Sequence, residues 1–289
     1  MTCAVTKSPE SGPRADDGIR TRDPNLGKVV LYQLSHVRVP GQNSNRAGTV
    51  GGSQAMSGTT AGDRSPLGLL GVLGIQDVEI RPDLRHLEVY TVGGLVTLLW
   101  HGAFDAHDVV IACGGAMGGL LGPANGLYHD LGTALAARGI AMIRVGYRRP
   151  NDLDACVHDL AAVADLAWHR GGRRFVTMGH SFGGAVAIVS GIVLGAHTAG
   201  VVTLSTQSAG CEEASRLGDT PLLLIHGERD ELLPAETSFV VRELAGHGDV
   251  VLLPGAGHGL IEAADELRTR LIDWIPERFE SRVDPQPRS

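Results

Sequence analysis

One stretch constrains this chain more than any other: Arg174-Phe-Val-Thr-Met-Gly-His-Ser-Phe-Gly-Gly184. A short apolar run, Phe175 to Met178, reaches Gly179-His180-Ser181-Phe182-Gly183, and a small-residue helical stretch, Ala185 to Leu194, comes next. A Gly-x-Ser-x-Gly pattern between a strand and a helix implies a serine lifted onto a sharp turn. Such a turn strains the backbone at Ser181 and brings the residues two before and two after it against neighbouring main chain. A Cβ would clash at both places, which accounts for Gly179 and Gly183. The turn presents the Ser181 hydroxyl at the edge of a sheet. The first amides of the next helix, beginning with Phe182 N–H, are free to face an anion.

The rest of the chain supplies a sheet for that turn. Ile75 to Ile80, Leu87 to Thr91 and Leu95 to Trp100 alternate and are separated by turn residues, so they read as antiparallel opening strands. From Val109 the pattern changes to short, fully apolar runs alternating with helical periodicity. The strands are Val109–Cys113, Ile140–Val145, Phe175–Met178, Val201–Ser205, Leu222–Ile225 and Val250–Leu253. The helices are Leu127–Arg138, Asp152–Trp168, Ala185–Leu194, Glu236–Ala245 and Leu260–Trp274. Buried β-runs alternating with helices predict an α/β fold, a mostly parallel sheet with helices on both faces and right-handed crossovers.

Residues 1–60 differ in character from the remainder of the chain: rich in Gly, Ser, Arg, Asn and Thr, they have no sustained periodicity. The segment from Asp17 to His36 resembles the peptide obtained when a transfer-RNA gene is translated by mistake. The expectation is a disordered extension, or a stretch upstream of a true start at Met56. The domain is expected over 61–280, with a loose tail at 281–289.

Composition removes several function classes. Lys+Arg 25 against Asp+Glu 32 gives a net charge of −7, which argues against nucleic acid or an anionic membrane as the main partner. No apolar run approaches the ~20 residues needed to span a bilayer. Cys3, Cys113, Cys156 and Cys211 show no C-x-x-C spacing and read as reduced, buried thiols, consistent with a cytoplasmic protein. The twelve histidines do not repeat at metal-ligand spacing. Gly114 to Gly119 is followed by no Gly-Lys-Ser/Thr and lacks G-x-G-x-x-G spacing, so neither a phosphate loop nor a dinucleotide site is expected. No metal or cofactor is called for.

Parallel sheets place chemistry at the carboxyl ends of their strands. After Leu222–Ile225 comes His226-Gly-Glu-Arg-Asp230-Glu-Leu-Leu-Pro234, and after Val250–Leu253 comes Pro254-Gly-Ala-Gly-His258-Gly259. Nucleophile, acid and base thus occur in the order Ser181, Asp230, His258. Serine needs a base to become a nucleophile, and the base needs a group that orients it. On sequence alone Asp230 also reads as a cap for the chain near Pro234, and Glu228, Glu212 or Glu213 are alternative acids. His101, His107, His129, His158, His169 and His226 read as surface or core residues.

With these motifs in order, the chain from about Ile75 to Trp274 resembles the α/β-hydrolase superfamily and, in its lidless layout, dienelactone-hydrolase-like esterases. The resemblance implies a Ser181–Asp230–His258 triad and a second oxyanion amide after the third strand, here assigned to Ala116. The superfamily often has His-Gly before that amide, where this chain has Gly114-Gly115. The expected activity is hydrolysis of a small ester or related acyl compound through an acyl-serine. A hydrolase-fold binding protein without turnover and an acyltransferase are the alternatives. Thr206 to Thr220 is too short and polar for a helical lid, so an open cleft suited to short, water-soluble esters is expected.

Overall fold

The runs of Val, Ile and Leu that the chain places between helices become strands because β-branched and apolar side chains fill both faces of a covered sheet. The computed structural model describes residues 64–280; the expectations for residues 1–60, for Cys3 and for the 281–289 tail lie outside them. A short helix α1 (Pro66–Leu69), N-capped by Ser65, leads into β1 (Val72–Arg81), β2 (Leu84–Thr91) and β3 (Gly94–His101). Next come β4 (Asp108–Cys113), α2 (Leu127–Ala136), β5 (Ala141–Gly146), α3 (Leu153–Trp168), β6 (Arg174–His180) and α4 (Phe182–Leu194). The chain continues with β7 (Thr198–Leu204), β8 (Leu222–Gly227), α5 (Glu236–Ala245), β9 (Asp249–Leu253) and α6 (Ala264–Glu280).

The nine strands form one sheet in the order β1-β2-β3-β5-β4-β6-β7-β8-β9. β1, β2, β3 and β5 pair antiparallel, and every pair from β5 to β9 is parallel. The central strands are buried on both faces: every side chain from Val109 to Cys113 is sealed from solvent. One face packs on α3 and α4 through residues such as Val157, Leu160 and Val186. The other packs on α2 and α6 through Leu131, Leu135, Leu267 and Leu271. At about 1.5–3 kcal/mol for each large aliphatic side chain taken out of water, these two layers dominate the stability of the centre.

Several boundaries move from the sequence expectation. β1 begins three residues before Ile75 and is mostly exposed along its length, as an edge strand can be. The last helix does not begin at Leu260, whose backbone is left-handed (φ 54°); a 3₁₀ turn at Ile261–Ala263 intervenes, and α6 then runs through Pro276 to Glu280. The connection Thr206–Thr220 forms no lid. It carries a 3₁₀ turn at Ala214–Leu217, and Cys211, Ala214 and Leu217 pack down beside Ala185 and Ile188 of α4.

Candidate active site

Ser181 sits between β6 and α4 with φ 57° and ψ −122°, a conformation L-residues rarely adopt. The turn closes so tightly that a Cβ on Gly179 would lie 1.8 Å from Gly183 O, and one on Gly183 would lie 2.3 Å from Gly114 O. Both positions are therefore restricted to glycine by neighbouring backbone. The close approach also presses the turn against the loop after β4. A Cβ on Gly115 would stand 3.4 Å from Ser181 Cβ and 3.6 Å from His180 O, so this loop passes directly beside the serine.

Two buried tyrosines anchor the start of the same loop: Tyr128 Oη donates to Cys113 O at 2.9 Å and Tyr147 Oη to Gly114 O at 3.1 Å. Ala116 comes directly after Gly115, and Phe182 is the first residue of α4. Among the described residues neither N–H has a backbone acceptor, as expected for Phe182 in the first turn of a helix.

Asp230 and His258 come together from the loops after β8 and β9. His258 Nδ1 donates to Asp230 Oδ2 at 2.8 Å. The other carboxylate oxygen, Oδ1, accepts from Leu232 N (2.9 Å) and Leu233 N (2.8 Å). The two roles weighed for Asp230 are thus compatible: one oxygen holds its own loop and the other faces the imidazole. Burial works to raise the Asp230 carboxyl, but the hydrogen bonds from Leu233, His258 and Leu232 outweigh it and hold the group below the ordinary carboxylate range. The alternative acids are engaged elsewhere: Glu228 Oε2 accepts from Gly255 N, and Glu213 pairs with Arg216.

Two further histidines belong to this neighbourhood, although sequence reasoning assigns one to the surface or core and sees the other only as part of the Gly-His-Ser turn. His180 Nε2 donates to the His258 carbonyl at 3.0 Å, its ring centroid 4.9 Å from that of His258. Burial lowers the His180 pKa, which favours the neutral ring beside a second imidazole. His226, fully buried at the carboxyl end of β8, lies against Asp230 with Nε2 3.1 Å from Oδ2. The only available signal was positional, since His226 ends the strand that leads to Asp230. The remaining candidates have other partners: His101 and His129 meet edge to face, His107 faces Asp108, His158 faces Pro66 O and His169 faces Asp165 O.

The surrounding loops leave Met117, Leu121, Leu232 and Ile261 exposed, and Ala124 N donates to Gly259 O, joining the β4 loop to the His258 loop. These four side chains form an exposed apolar rim on the loops that carry the candidate residues. Among the described residues no group of three or more His, Cys, Asp or Glu is placed to hold a metal ion. No helix there is long and apolar enough to cross a membrane. Cys113, Cys156 and Cys211 are buried free thiols, and burial pushes Cys113 up to about 12, far from the thiolate a nucleophile needs.

No protein-family model and no curated protein matches the sequence. Solved structures do match the fold. Est1E from Butyrivibrio proteoclasticus aligns over 68% of this chain and 99% of its own, with a TM-score of 0.56 at 16% identity. An alpha-beta serine hydrolase homologue from Coxiella burnetii aligns over 65% and 95%, at 0.55 and 18%. Dienelactone hydrolase from Anabaena variabilis aligns over 70% and 99%, at 0.54 and 16%. The chain has the α/β-hydrolase fold, and the described residues form no large lid.

Proposed function

We propose that this chain is a serine hydrolase that cleaves a small carboxylic ester or related acyl compound through an acyl-serine intermediate. The observation that carries the reading is the 2.8 Å contact of His258 Nδ1 with Asp230 Oδ2, in a fold whose strand ends also present a strained, glycine-flanked Ser181. A carboxylate accepting at Nδ1 fixes the imidazole tautomer and leaves Nε2 unprotonated. That nitrogen takes the Ser181 proton as Oγ attacks the carbonyl carbon, and the imidazolium so formed faces the Asp230 charge. Phe182 N–H and Ala116 N–H stabilise the tetrahedral oxyanion; one such donor lowers the barrier by about 2.7–4 kcal/mol. Collapse expels the alcohol, protonated by His258, and the same base then activates water against the acyl-serine.

The folded-down Thr206–Thr220 connection and the exposed rim support an open cleft rather than a tunnel. With roughly 0.8 kcal/mol available per buried methylene only where a pocket encloses the chain, kcat/KM should flatten beyond about six acyl carbons.

The decisive experiment compares the unsubstituted protein with Ser181→Ala. The former should be labelled by a fluorophosphonate probe and hydrolyse p-nitrophenyl acetate or butyrate. The variant should label with neither probe nor acyl group and lose roughly 10⁴-fold or more in kcat. A folded protein whose serine never reacts would be a binding protein, and a product that appears only with an added alcohol or amine acceptor would make it an acyltransferase.

A further inference from the structure

His226 is completely buried, yet both of its ring nitrogens are engaged. Nε2 faces two atoms that only accept, Leu233 O at 3.0 Å and Asp230 Oδ2 at 3.1 Å, so Nε2 carries the proton. Burial lowers the His226 pKa and keeps the ring neutral, against the opposing pull of the Leu233 carbonyl and Asp230. A neutral ring protonated at Nε2 must accept at Nδ1, where Ser238 Oγ stands 2.7 Å away. Ser238, itself buried on α5, therefore donates its hydroxyl proton to His226. For the neutral ring this is the assignment that satisfies both nitrogens.

The Asp230 carboxylate is correspondingly crowded. Oδ1 accepts two backbone N–H groups and Oδ2 lies between two imidazoles, His258 at 2.8 Å and His226 at 3.1 Å. Three hydrogen bonds thus hold the carboxylate, and the His226 Nε2–H, which donates to Leu233 O, stands close enough to Oδ2 to be shared with it.

We propose that His226, held by Ser238, is a positioning residue that fixes the orientation and sets the basicity of Asp230, and through it the proton affinity of His258. The inference rests on reading Ser181, His258 and Asp230 as the reacting groups. Its physical content is a competition for Oδ2. The His226 N–H withdraws part of the carboxylate charge from His258, and in return stops the carboxylate rotating away from it. Removing that N–H should free charge density for the His258 imidazolium and loosen the geometry at the same time. The base would then be protonated at higher pH and would act more slowly once deprotonated.

Other groups facing this cluster must be kept apart in the measurement. From β6 comes His180, against the His258 ring; from the β8 loop comes Glu231 Oε2, 3.4 Å from His258 N; before α6 comes Glu262 Oε2, 3.1 Å from Gly257 N; and Glu228 holds Gly255. Each of these contacts is with the His258 loop, whereas His226 acts on Asp230.

The test uses His226→Phe, His226→Gln and Ser238→Ala in the full chain. Glutamine places an N–H close to the Nε2 position, whereas phenylalanine fills the space without a donor. Measured on p-nitrophenyl acetate, His226→Phe should lower kcat roughly 10- to 100-fold with little change in KM. The midpoint of its acid limb in kcat/KM should rise by about half a unit or more. His226→Gln should restore most of that midpoint, and Ser238→Ala should shift it in the same direction by less. An unshifted acid limb in a folded His226→Phe protein, or a glutamine variant no closer to the parent than phenylalanine, overturns the proposal. If phenylalanine does not fold, the glutamine and Ser238→Ala profiles decide alone. NMR titration of the His258 ring in the same variants, identified by its absence in His258→Ala, needs no turnover. A shifted ring in a protein whose serine never labels would retain the coupling while refuting the hydrolase reading.

Discussion

Two histidines of this chain, at opposite ends of one sheet, are both sealed from solvent and have opposite surroundings. His226 stands at the carboxyl end of β8 with every ring nitrogen hydrogen-bonded. His101 ends β3 opposite Met142, the second residue of β5, and so lies at the amino ends of the parallel strands. It is also 0% exposed, but neither of its ring nitrogens has a partner. Burial lowers the pKa of both rings, His101 to about 4, with Arg144 and His129 adding to the effect. Depressed basicity therefore does not mark a functional histidine here. What separates the two is what each faces: a carboxylate for His226 and the backbone of Gly132 for His101, where a Cβ would lie 2.7 Å from the imidazole.

The largest effect that would break this distinction lies at the β8 end. Asp230→Asn keeps the shape of the cluster but replaces an acceptor at Oδ2 by a group that can present N–H to His258, favouring the wrong tautomer. A loss of about 10³–10⁴ in kcat is expected, whereas His101→Phe should leave kcat at pH 7 within about two-fold. If Asp230→Asn stays near the parent while Glu228→Gln or Glu213→Gln collapses, the acid has been assigned to the wrong carboxylate. If His101→Phe is as damaging as Asp230→Asn in a folded protein, the contrast between the two ends is false.

How far the sequence could reach is visible in the same pair. The turn at Ser181 was legible because Gly179 and Gly183 answer a steric demand that acts over four residues. The meeting of Asp230 with His258 was legible because both come after apolar runs, and parallel strands bring their carboxyl ends to one edge. His226 was not legible as part of that meeting. Strand alternation says which face a residue takes, but not that a loop will fold its aspartate back four residues onto the same ring. Nor does composition distinguish His101 from His226, since the difference lies in partners 12 residues away for Ser238 and 7 away for Leu233. The start of β1 was hidden for a different reason: Val72, Leu73 and Gly74 are too short a run, with a glycine in it, to show alternation before Ile75.

The second effect is one of stability and belongs to the β3 end. A base whose folded pKa lies below its unfolded value binds fewer protons in the folded state between the two. Stability contributed by neutral His101 is therefore complete above about 6.5 and is lost as pH falls toward 4. One proton across that window corresponds to about 3 kcal/mol at most, and to about 2 kcal/mol between pH 6.5 and 5. His101→Phe keeps a planar ring beside Gly132 and removes the titration. Urea unfolding at pH 7 and pH 5 should show the variant losing about 2 kcal/mol less than the parent over that interval. Carboxylates such as Asp230 also weaken in acid, but they do so in both proteins and cancel in the difference. Identical acid losses would mean that His101 is hydrated in solution and does not resist protonation.

The smallest effect separates burial from charge at the same site. His129 lies 5.5 Å from the His101 ring, centroid to centroid, edge to face, and its charge opposes a proton on its neighbour. At that distance the repulsion is on the order of 1 kcal/mol in largely solvated surroundings. His129→Gln removes it, so the folded pKa of His101 should move back toward its unfolded value and the acid loss should shrink. Because burial is the larger cause, the reduction should be only about 1 kcal/mol between pH 7 and pH 5. The same pair of urea titrations reads it. A reduction as large as that of His101→Phe would make the neighbouring charge, rather than exclusion from water, the reason this ring stays neutral.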